Sequence, residues 1–172
     1  MAEPLEVIIG ELLRERGLKL ATAESCTGGL VSHRITNVPG SSDYFLGGVV
    51  AYAYEAKVAA LAVSWETLRA YGAVSREVVL EMARGSRRLL SADLAVSISG
   101  IAGPGGGLPQ KPVGTTWVGL VAPDGEWARR YCFAGDREGN KALSADAALQ
   151  LIFDYLHGER KLDADLKART SK

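Results

Sequence analysis

The sequence lacks the features that mark membrane and nucleic-acid-binding proteins. No run of about 18 consecutive apolar residues is present, so no segment is long enough to cross a bilayer as a helix. Lysine and arginine together number 20, as do aspartate and glutamate, so the basic excess of a nucleic-acid-binding module is missing. We therefore expect a protein that binds neither a membrane nor nucleic acid.

Cysteine and histidine are scarce, and this argues against a metal centre. Cys26 and Cys132 lie far apart and form no Cys-x-x-Cys pair, while His33 and His157 follow no metal-binding spacing. We expect no metal, no cofactor and two reduced thiols. The acidic N-terminus also lacks the basic region of a secretory signal, and together these observations predict a cytoplasmic protein.

The chain is long enough for one domain with a substantial core. It has 172 residues, and we predict a single domain over 1–157 followed by a polar tail over 158–172. Glycine, with 20 residues, is the one compositional excess. The glycines cluster in segments that follow predicted strands.

Hydrophobic periodicity and turn signals predict the order α-β-α-β-α-α-α-β-β-β-α. Helices are predicted over about 4–16, from about 27 to a stop at 37–40, and over about 55–61, 64–71, 75–89 and 138–156; strands are predicted over about 19–23, 47–52, 93–99, 114–121 and 127–133. Alternating strands and helices imply parallel pairing, whereas the turn at 123–125 implies an antiparallel pair. The fold class is α/β: a three-layer α/β/α sandwich with a mixed, partly parallel sheet.

The segment after the first predicted strand contains a candidate nucleophile, Ser25. Ligands of open α/β sheets bind beyond the carboxyl ends of the strands, and Ser25 lies at such an end. Thr27, Gly28 and Gly29 follow it, where glycines allow close approach and the first amides of a helix are free to bind an anion or oxyanion. Alternatively, Ser25 or Thr27 caps the helix and the glycines only allow tight packing.

The segment after the second strand contains a candidate base, Lys57. A lysine early in a helix is electrostatically unfavourable there, and partial burial would lower its pKa enough for it to accept a proton. Tyr52, at the end of the strand, can relay or donate a proton. Alternatively, Lys57 is an exposed lysine paired with Glu55 or another nearby acid.

The segment after the buried third strand has five glycines between Gly100 and Gly107. Successive amides of such a loop can form an anion-binding nest. It matches neither the Walker loop nor Gly-x-Gly-x-x-Gly, so it is not assigned to those nucleotide-binding motifs. The candidate substrate-binding residues are Gly100, Gly103, Gly105 and Thr115, and the alternative is a flexible connection.

A serine nucleophile, a lysine base and a tyrosine suit acyl transfer, including amide hydrolysis. The sequence has no Gly-x-Ser-x-Gly elbow, and the residue three positions after Ser25 is Gly28 rather than lysine. His33 and His157 are read as structural or surface residues, because neither fits a Ser-His-Asp triad.

Five motifs together resemble the CinA C-terminal domain family, whose stand-alone relatives are nicotinamide-nucleotide amidohydrolases. The resemblance extends from about Glu6 to Leu156, and its motifs are TAESCTGG from Thr22, GAVS from Gly72, SISGIAGP from Ser97, KPVGT from Lys111 and FAGDR from Phe133. The resemblance implies an α/β/α domain that converts nicotinamide mononucleotide to nicotinate mononucleotide and ammonia. It implies Ser25 as nucleophile, Lys57 as base and Tyr52 as helper, with Arg137 and the Gly103 loop as candidates for the phosphate. It also favours a homo-oligomer, with a dimer as the expected form.

Two positions depart from the family pattern and leave alternatives open. The family usually has Tyr-Ser-Asn-Glu-Ala-Lys where this chain has Tyr52-Ala53-Tyr54-Glu55-Ala56-Lys57, so Tyr54 places a bulky phenol beside the expected site. Lys141 stands where relatives often carry arginine. The alternatives are a nucleotide-binding protein that has lost catalysis and an amidase for a different carboxamide. Tyr52 is the next candidate base if Lys57 is not the base.

Overall fold

A computed structural model describes residues 3–158, and the predicted tail lies almost entirely outside this range. The helices are α1 Leu5–Arg16, α2 Leu30–Thr36, α3 Tyr54–Leu61, α4 Trp65–Tyr71, α5 Arg76–Leu90 and α6 Arg137–Leu156. The strands are β1 Leu20–Glu24, β2 Phe45–Val50, β3 Leu94–Gly100, β4 Thr115–Ala122 and β5 Gly125–Cys132. The order of helices and strands matches the prediction, with one additional 3-10 turn at Ser41–Asp43.

The five strands form one mixed sheet in the order β2-β1-β3-β4-β5. β1 pairs in parallel with both β2 and β3, so the carboxyl ends of these three strands lie at the same edge of the sheet. β4 pairs antiparallel with β3 and with β5. The turn at 123–125 therefore closes a hairpin as predicted, and the mixed α/β architecture is confirmed.

Helices cover both faces of the sheet. On one face, α1, α2 and α6 pack on the largest apolar cluster, which includes Ile9, Val31 and Leu149. On the other face, α3, α4 and α5 bury two smaller clusters against β1, β3 and β4. β3 is the central strand, and its first six residues are buried as the continuous apolar run predicts.

Helix caps account for several of the observed boundaries. Gly17 adopts a left-handed conformation at φ 65° and ends α1, where the sequence predicts a glycine cap. The side chains of Ser64 and Ser75 accept amide hydrogen bonds at the starts of α4 and α5. The prediction that α2 begins at Thr27 was wrong: Gly28 and Gly29 have φ of 62° and 101°, so the chain turns there before the helix begins at Leu30.

The close packing of α3 against α5 positions the lysine of α3. A Cβ on Gly85 would lie only 1.9 Å from the carbonyl oxygen of Leu61, so glycine is required at this contact. Leu61 ends the same helix that carries Lys57, and this close approach holds α3 against α5.

Two features remain absent from the part of the chain that the structure describes. None of its helices is long and apolar enough to cross a membrane. Within residues 3–158, no group of three or more histidine, cysteine, aspartate or glutamate side chains is placed to hold a metal ion.

Candidate active site

Ser25 extends β1 by one residue at the carboxyl edge of the sheet. Its amide donates to the carbonyl oxygen of Ile98 at 2.9 Å, continuing the pairing with β3. Because side chains alternate between faces, Ser25 shares a face with Ala21 and Ala23, whose side chains pack among those of α3 and α5. Ser25 is 8% exposed, so its side chain is almost fully shielded from bulk solvent.

Lys57 reaches Ser25 from the fourth position of α3. Its Nζ lies 2.9 Å from the Oγ of Ser25, 2.8 Å from the carbonyl oxygen of Ala51 and 3.0 Å from that of Tyr52. The residue is only 1% exposed, and no carboxylate in the described chain lies within ion-pair distance of it. The alternative of an exposed lysine paired with Glu55 is therefore wrong.

Burial lowers the pKa of Lys57 from 10.5 to about 8, and the nearby Cys26 thiol opposes this shift. The three contacts suit both protonation states. The ammonium form donates one hydrogen to each of its three oxygen partners. The neutral amine still donates to the two carbonyls and directs its lone pair at the Ser25 hydroxyl, as a general base requires.

Glu24 occupies the amides that were expected to bind an anion. Its carboxylate, fully buried, accepts hydrogen bonds from the amides of Gly29 at 3.0 Å, Val31 at 3.1 Å and Ser32 at 2.8 Å. The Ser32 hydroxyl donates to the same carboxylate at 2.7 Å. We expected the amides at the start of α2 to be free to bind a ligand. For these three amides the expectation was wrong, because each already donates a hydrogen bond to the Glu24 carboxylate.

The capping alternative for Ser25 and Thr27 is also wrong. The residue that precedes α2 is Gly29, which has no side chain to cap the helix, and two amides of the first turn of α2 donate to Glu24 rather than to the side chain of Ser25 or Thr27. The hydroxyl of Thr27 is buried and has no hydrogen-bond partner, while Gly28 is exposed beside the ammonium group of Lys141. Substrate contact by Thr27, Gly28 and Gly29 stays a prediction.

Tyr52 and Arg137 meet above the turn that carries Ser25. The hydroxyl of Tyr52 accepts a hydrogen bond from Arg137 at 3.0 Å, and Arg137 also donates to the carbonyl oxygen of Gly103 at 2.6 Å. Arg137 therefore joins the end of β2 to the glycine-rich loop after β3. Tyr52 contributes its carbonyl oxygen to Lys57, whereas its hydroxyl makes no hydrogen bond to Ser25 or Lys57 in the described chain.

The glycine-rich loop is held at its first residues. Ile101 donates its amide to the carbonyl oxygen of Thr115 at 2.9 Å, and Asn140 donates to that of Ala102 at 3.0 Å. A Cβ on Gly100 would lie 2.6 Å from the hydroxyl oxygen of Thr116, so this position needs glycine, whereas one on Gly105 would meet open space. The anchored start argues against a connection that is free along its whole length, and the role of Gly100, Gly103, Gly105 and Thr115 toward substrate stays a prediction.

The two departures from the family pattern have different surroundings. The hydroxyl of Tyr54 accepts a hydrogen bond from the amide of Ala73 at 3.3 Å, and its ring centroid lies 6.5 Å from that of Trp65. Tyr54 thus packs toward α4. Lys141 lies beside Gly28, where its charge faces the turn that carries Ser25.

Two neighbours of Ser25 were not singled out by the sequence reasoning. Glu24 is the more important of the two. The sequence could have indicated its role, because Glu24 lies five to eight residues before the amides at the start of α2 from which it accepts hydrogen bonds. The thiol of Cys26 points to the opposite face of the sheet, into the cluster under α6. Burial raises the pKa of this thiol to about 11, so it remains protonated and unreactive at neutral pH.

The family model and close relatives of this chain carry the same family description. The family model described as the CinA C-terminal domain matches residues 2–156. A CinA-like protein of Salinibacter ruber is 52% identical over 146 residues, which are 85% of this chain and 35% of that protein. A CinA-like protein of Chloroherpeton thalassium is 50% identical over 158 residues, 90% of this chain and 38% of that protein. The chain thus spans little more than a third of the length of these relatives.

Solved structures share both the fold and the sequence pattern. A CinA superfamily protein from Klebsiella pneumoniae superimposes with a TM-score of 0.86 at 36% identity, covering 90% of this chain and 96% of that one. A competence/damage inducible protein from Agrobacterium tumefaciens gives 0.83 at 34% identity, covering 91% and 98%.

Proposed function

Because the chain belongs to the CinA C-terminal domain family, we propose that it is an amidohydrolase that converts nicotinamide mononucleotide to nicotinate mononucleotide and ammonia. The observation that supports the proposal is the buried contact of 2.9 Å between the Nζ of Lys57 and the Oγ of Ser25. A lysine buried without a carboxylate partner destabilises the fold, and such a cost is typical of a functional site. The identity of the carboxamide comes from the family resemblance.

The first half of the reaction acylates Ser25. Neutral Lys57 accepts the hydroxyl proton while Oγ attacks the carboxamide carbon, giving a tetrahedral intermediate with a negatively charged oxygen. The Lys57 ammonium then gives the proton to the departing nitrogen, and the carbon–nitrogen bond breaks to release ammonia. The carbonyls of Ala51 and Tyr52 hold Nζ in place throughout, since they accept from it in both protonation states.

The second half of the reaction hydrolyses the acyl-enzyme. Water adds to the ester carbon, and Lys57, now neutral again, accepts its proton. The carbon–Oγ bond breaks as Lys57 returns the proton to Ser25, and the carboxylic acid product loses its own proton to solvent and leaves as the carboxylate. The same pair thus serves as base and acid in both halves.

The turn after Ser25 offers donors for the developing oxyanion. Glu24 already occupies three amides at the start of α2, so these cannot serve. The amides of Cys26 and Thr27 donate to no oxygen atom in the described chain. We assign them to the oxyanion, because the amide that follows a nucleophile is well placed for that role.

The test is ammonia release from a panel of carboxamides that includes nicotinamide mononucleotide, with EDTA present and with Ser25→Ala as the matched control. The proposal predicts release from the mononucleotide by wild type and none by the variant. Release only from another amide would move the assignment to that substrate. Calorimetric binding of the mononucleotide without any release would instead support a nucleotide-binding protein that has lost catalysis.

A further inference from the structure

A cavity of about 490 Å³ lies between the start of α5 and the first residues of β4. The rim carries three cationic side chains, Arg76, Lys111 and Arg130, and one carboxylate, Glu77. None of these four side chains forms an ion pair in the part of the chain that the structure describes. The cavity therefore has an excess of positive charge, although the whole chain is neutral.

Two cations of the cavity, Lys111 and Arg130, are anchored by backbone carbonyl oxygens that leave their charges unpaired. The Nζ of Lys111 donates to the carbonyl oxygen of Tyr71 at 2.6 Å, and Arg130 donates one hydrogen to that of Gln110 at 2.7 Å. Both partners are uncharged, so each cation keeps its charge and its remaining donors. An anion that enters can accept them at a small entropic cost, because the two side chains are already anchored.

The start of α5 adds backbone donors at the same place. Ser75, 6% exposed, lines the cavity and caps the helix by accepting the amide of Val78. The amides of Arg76 and Glu77 have no acceptor among the described residues, as is usual in a first helical turn. A 15-residue helix directs its positive end toward this cavity.

The strand register places the cavity beside Ser25. Ser25 follows the pair Glu24–Ile98, Ser99 lies opposite Trp117, and Trp117 lies opposite Arg130. These side chains share one face of the sheet, so Trp117 in the cavity wall lies about two strand spacings, ~10 Å, from the nucleophile. Arg130 lies one strand further, ~14 Å from Ser25 between the backbones, a span that an extended mononucleotide and the arginine side chain together can cover.

We infer that this cavity is a phosphomonoester-binding site formed by Lys111, Arg130, Arg76 and the start of α5. Two sources share this chemistry: the phosphate of the nucleotide whose carboxamide reaches Ser25, or a separate small phosphate. The first source rests on the proposed function; the binding site itself does not. Arg137, in contrast, is joined to Tyr52 and Gly103 and does not line this cavity.

Ribose 5-phosphate is the probe, because it carries the phosphate without a carboxamide. Binding is followed by calorimetry and by the emission of Trp117, in wild type and in Ser25→Ala. Lys111→Gln and Arg130→Gln should each weaken binding about tenfold or more, as expected for loss of a charge-assisted hydrogen bond. Arg130→Lys should recover part of the affinity, and unphosphorylated ribose should not bind.

The matched control is Arg88→Gln, at the exposed opposite end of α5. It should bind ribose 5-phosphate as wild type does, and Trp117→Phe should remove the optical signal. Equal affinities for Arg130→Gln and Arg88→Gln would overturn the inference, as would no binding at all or a loss confined to Arg137→Gln. None of these three results depends on whether ammonia is released.

Inhibition kinetics then distinguish the two sources. Competitive inhibition of ammonia release by ribose 5-phosphate, with KM but not kcat raised in Arg130→Gln, places the substrate phosphate in the cavity. Non-competitive inhibition identifies a separate phosphate ligand. Both outcomes support the binding site.

Discussion

Lys57 links the chemistry of the site to a cost in stability at the scale of one residue. It is buried against Ser25 and two carbonyl oxygens, and this burial lowers its pKa to about 8. The shift from 10.5 corresponds to roughly 3 kcal/mol of disfavoured charge at neutral pH. A surface lysine would be fully protonated at that pH and unable to accept a proton.

The first prediction concerns the role of Lys57 as a base. Lys57→Arg should lose at least about nine-tenths of turnover, because guanidinium stays protonated. Binding of nicotinamide mononucleotide, measured by calorimetry, should survive because the charge is kept. In wild type, kcat/KM should rise with pH through an apparent pKa near 8, and Lys57→Ala should remove this rise. Substantial turnover by Lys57→Arg would leave the Tyr52 phenolate as the next candidate base.

The second prediction concerns stability. Between about pH 8 and 10.5 the unfolded chain keeps a proton on Lys57 that the folded chain has lost, so the free energy of unfolding should rise with pH across this window. Lys57→Met lacks this contribution. The free energy of unfolding of each protein is measured by urea denaturation at pH 7.5 and at pH 10. The difference between wild type and Lys57→Met should shift by about 2–3 kcal/mol in favour of wild type between these two pH values. Parallel pH profiles would show that Lys57 has an ordinary pKa in the folded protein.

At the scale of the elements, the Glu24 carboxylate joins β1 to α2 and fixes the turn between them. It accepts four hydrogen bonds at the start of α2, one of them from a side chain. The turn between these elements carries Ser25, so the position of Ser25 depends on this carboxylate. We therefore expect Glu24 to act by positioning Ser25 rather than by touching the substrate.

The third prediction is that Glu24→Gln lowers both stability and turnover. The amide group of glutamine would direct its own hydrogens at donors, leaving buried amides without an acceptor, and the expected loss is about 2–3 kcal/mol. Thermal denaturation measures the stability loss, and kcat should fall more than KM rises. Glu66→Gln, in the exposed first turn of α4, is the control and should change stability by less than about 0.5 kcal/mol. Equal effects of the two variants would contradict the role of Glu24.

At the scale of the whole molecule, the edge strand β2 leaves apolar side chains uncovered. Leu46 is 42% exposed and Val50 is 52% exposed, on the same face of this strand. An edge strand also presents unpaired backbone groups to a neighbouring chain. A second copy can cover this surface, in line with the oligomer that the family resemblance implies.

The fourth prediction is that the protein is a homodimer at micromolar concentration. Light scattering should give about twice the mass of 18.2 kDa. Leu46→Lys should shift the mass toward the monomer, because it places a charge on the covered surface. Leu89→Lys, at an exposed position near the end of α5, is the control and should remain dimeric. A monomeric wild type would refute the prediction.

The order of helices and strands followed from the sequence because local patterns determine it. Gly17, Ser64 and Ser75 end or begin helices through hydrogen bonds within a few residues, and the apolar run over β3 matches a strand buried on both faces. The pairing of Ser25 with Lys57 was predicted from their places after two parallel strands. The carboxyl ends of such strands must meet at one edge of the sheet.

Only the tertiary structure decided which charged side chains take up which backbone donors, and which charged side chains come together without a partner of opposite charge. Glu24 lies next to Ser25 in the sequence, yet its carboxylate turns to the start of α2 and occupies the amides expected to bind an anion. The cationic cavity depends on Arg76, Lys111 and Arg130, which are separated in the sequence and come together only through strand register and the position of α5. Sequence patterns determine elements through short-range hydrogen bonds and burial, whereas these electrostatic contacts depend on distances that exist only after the elements pack.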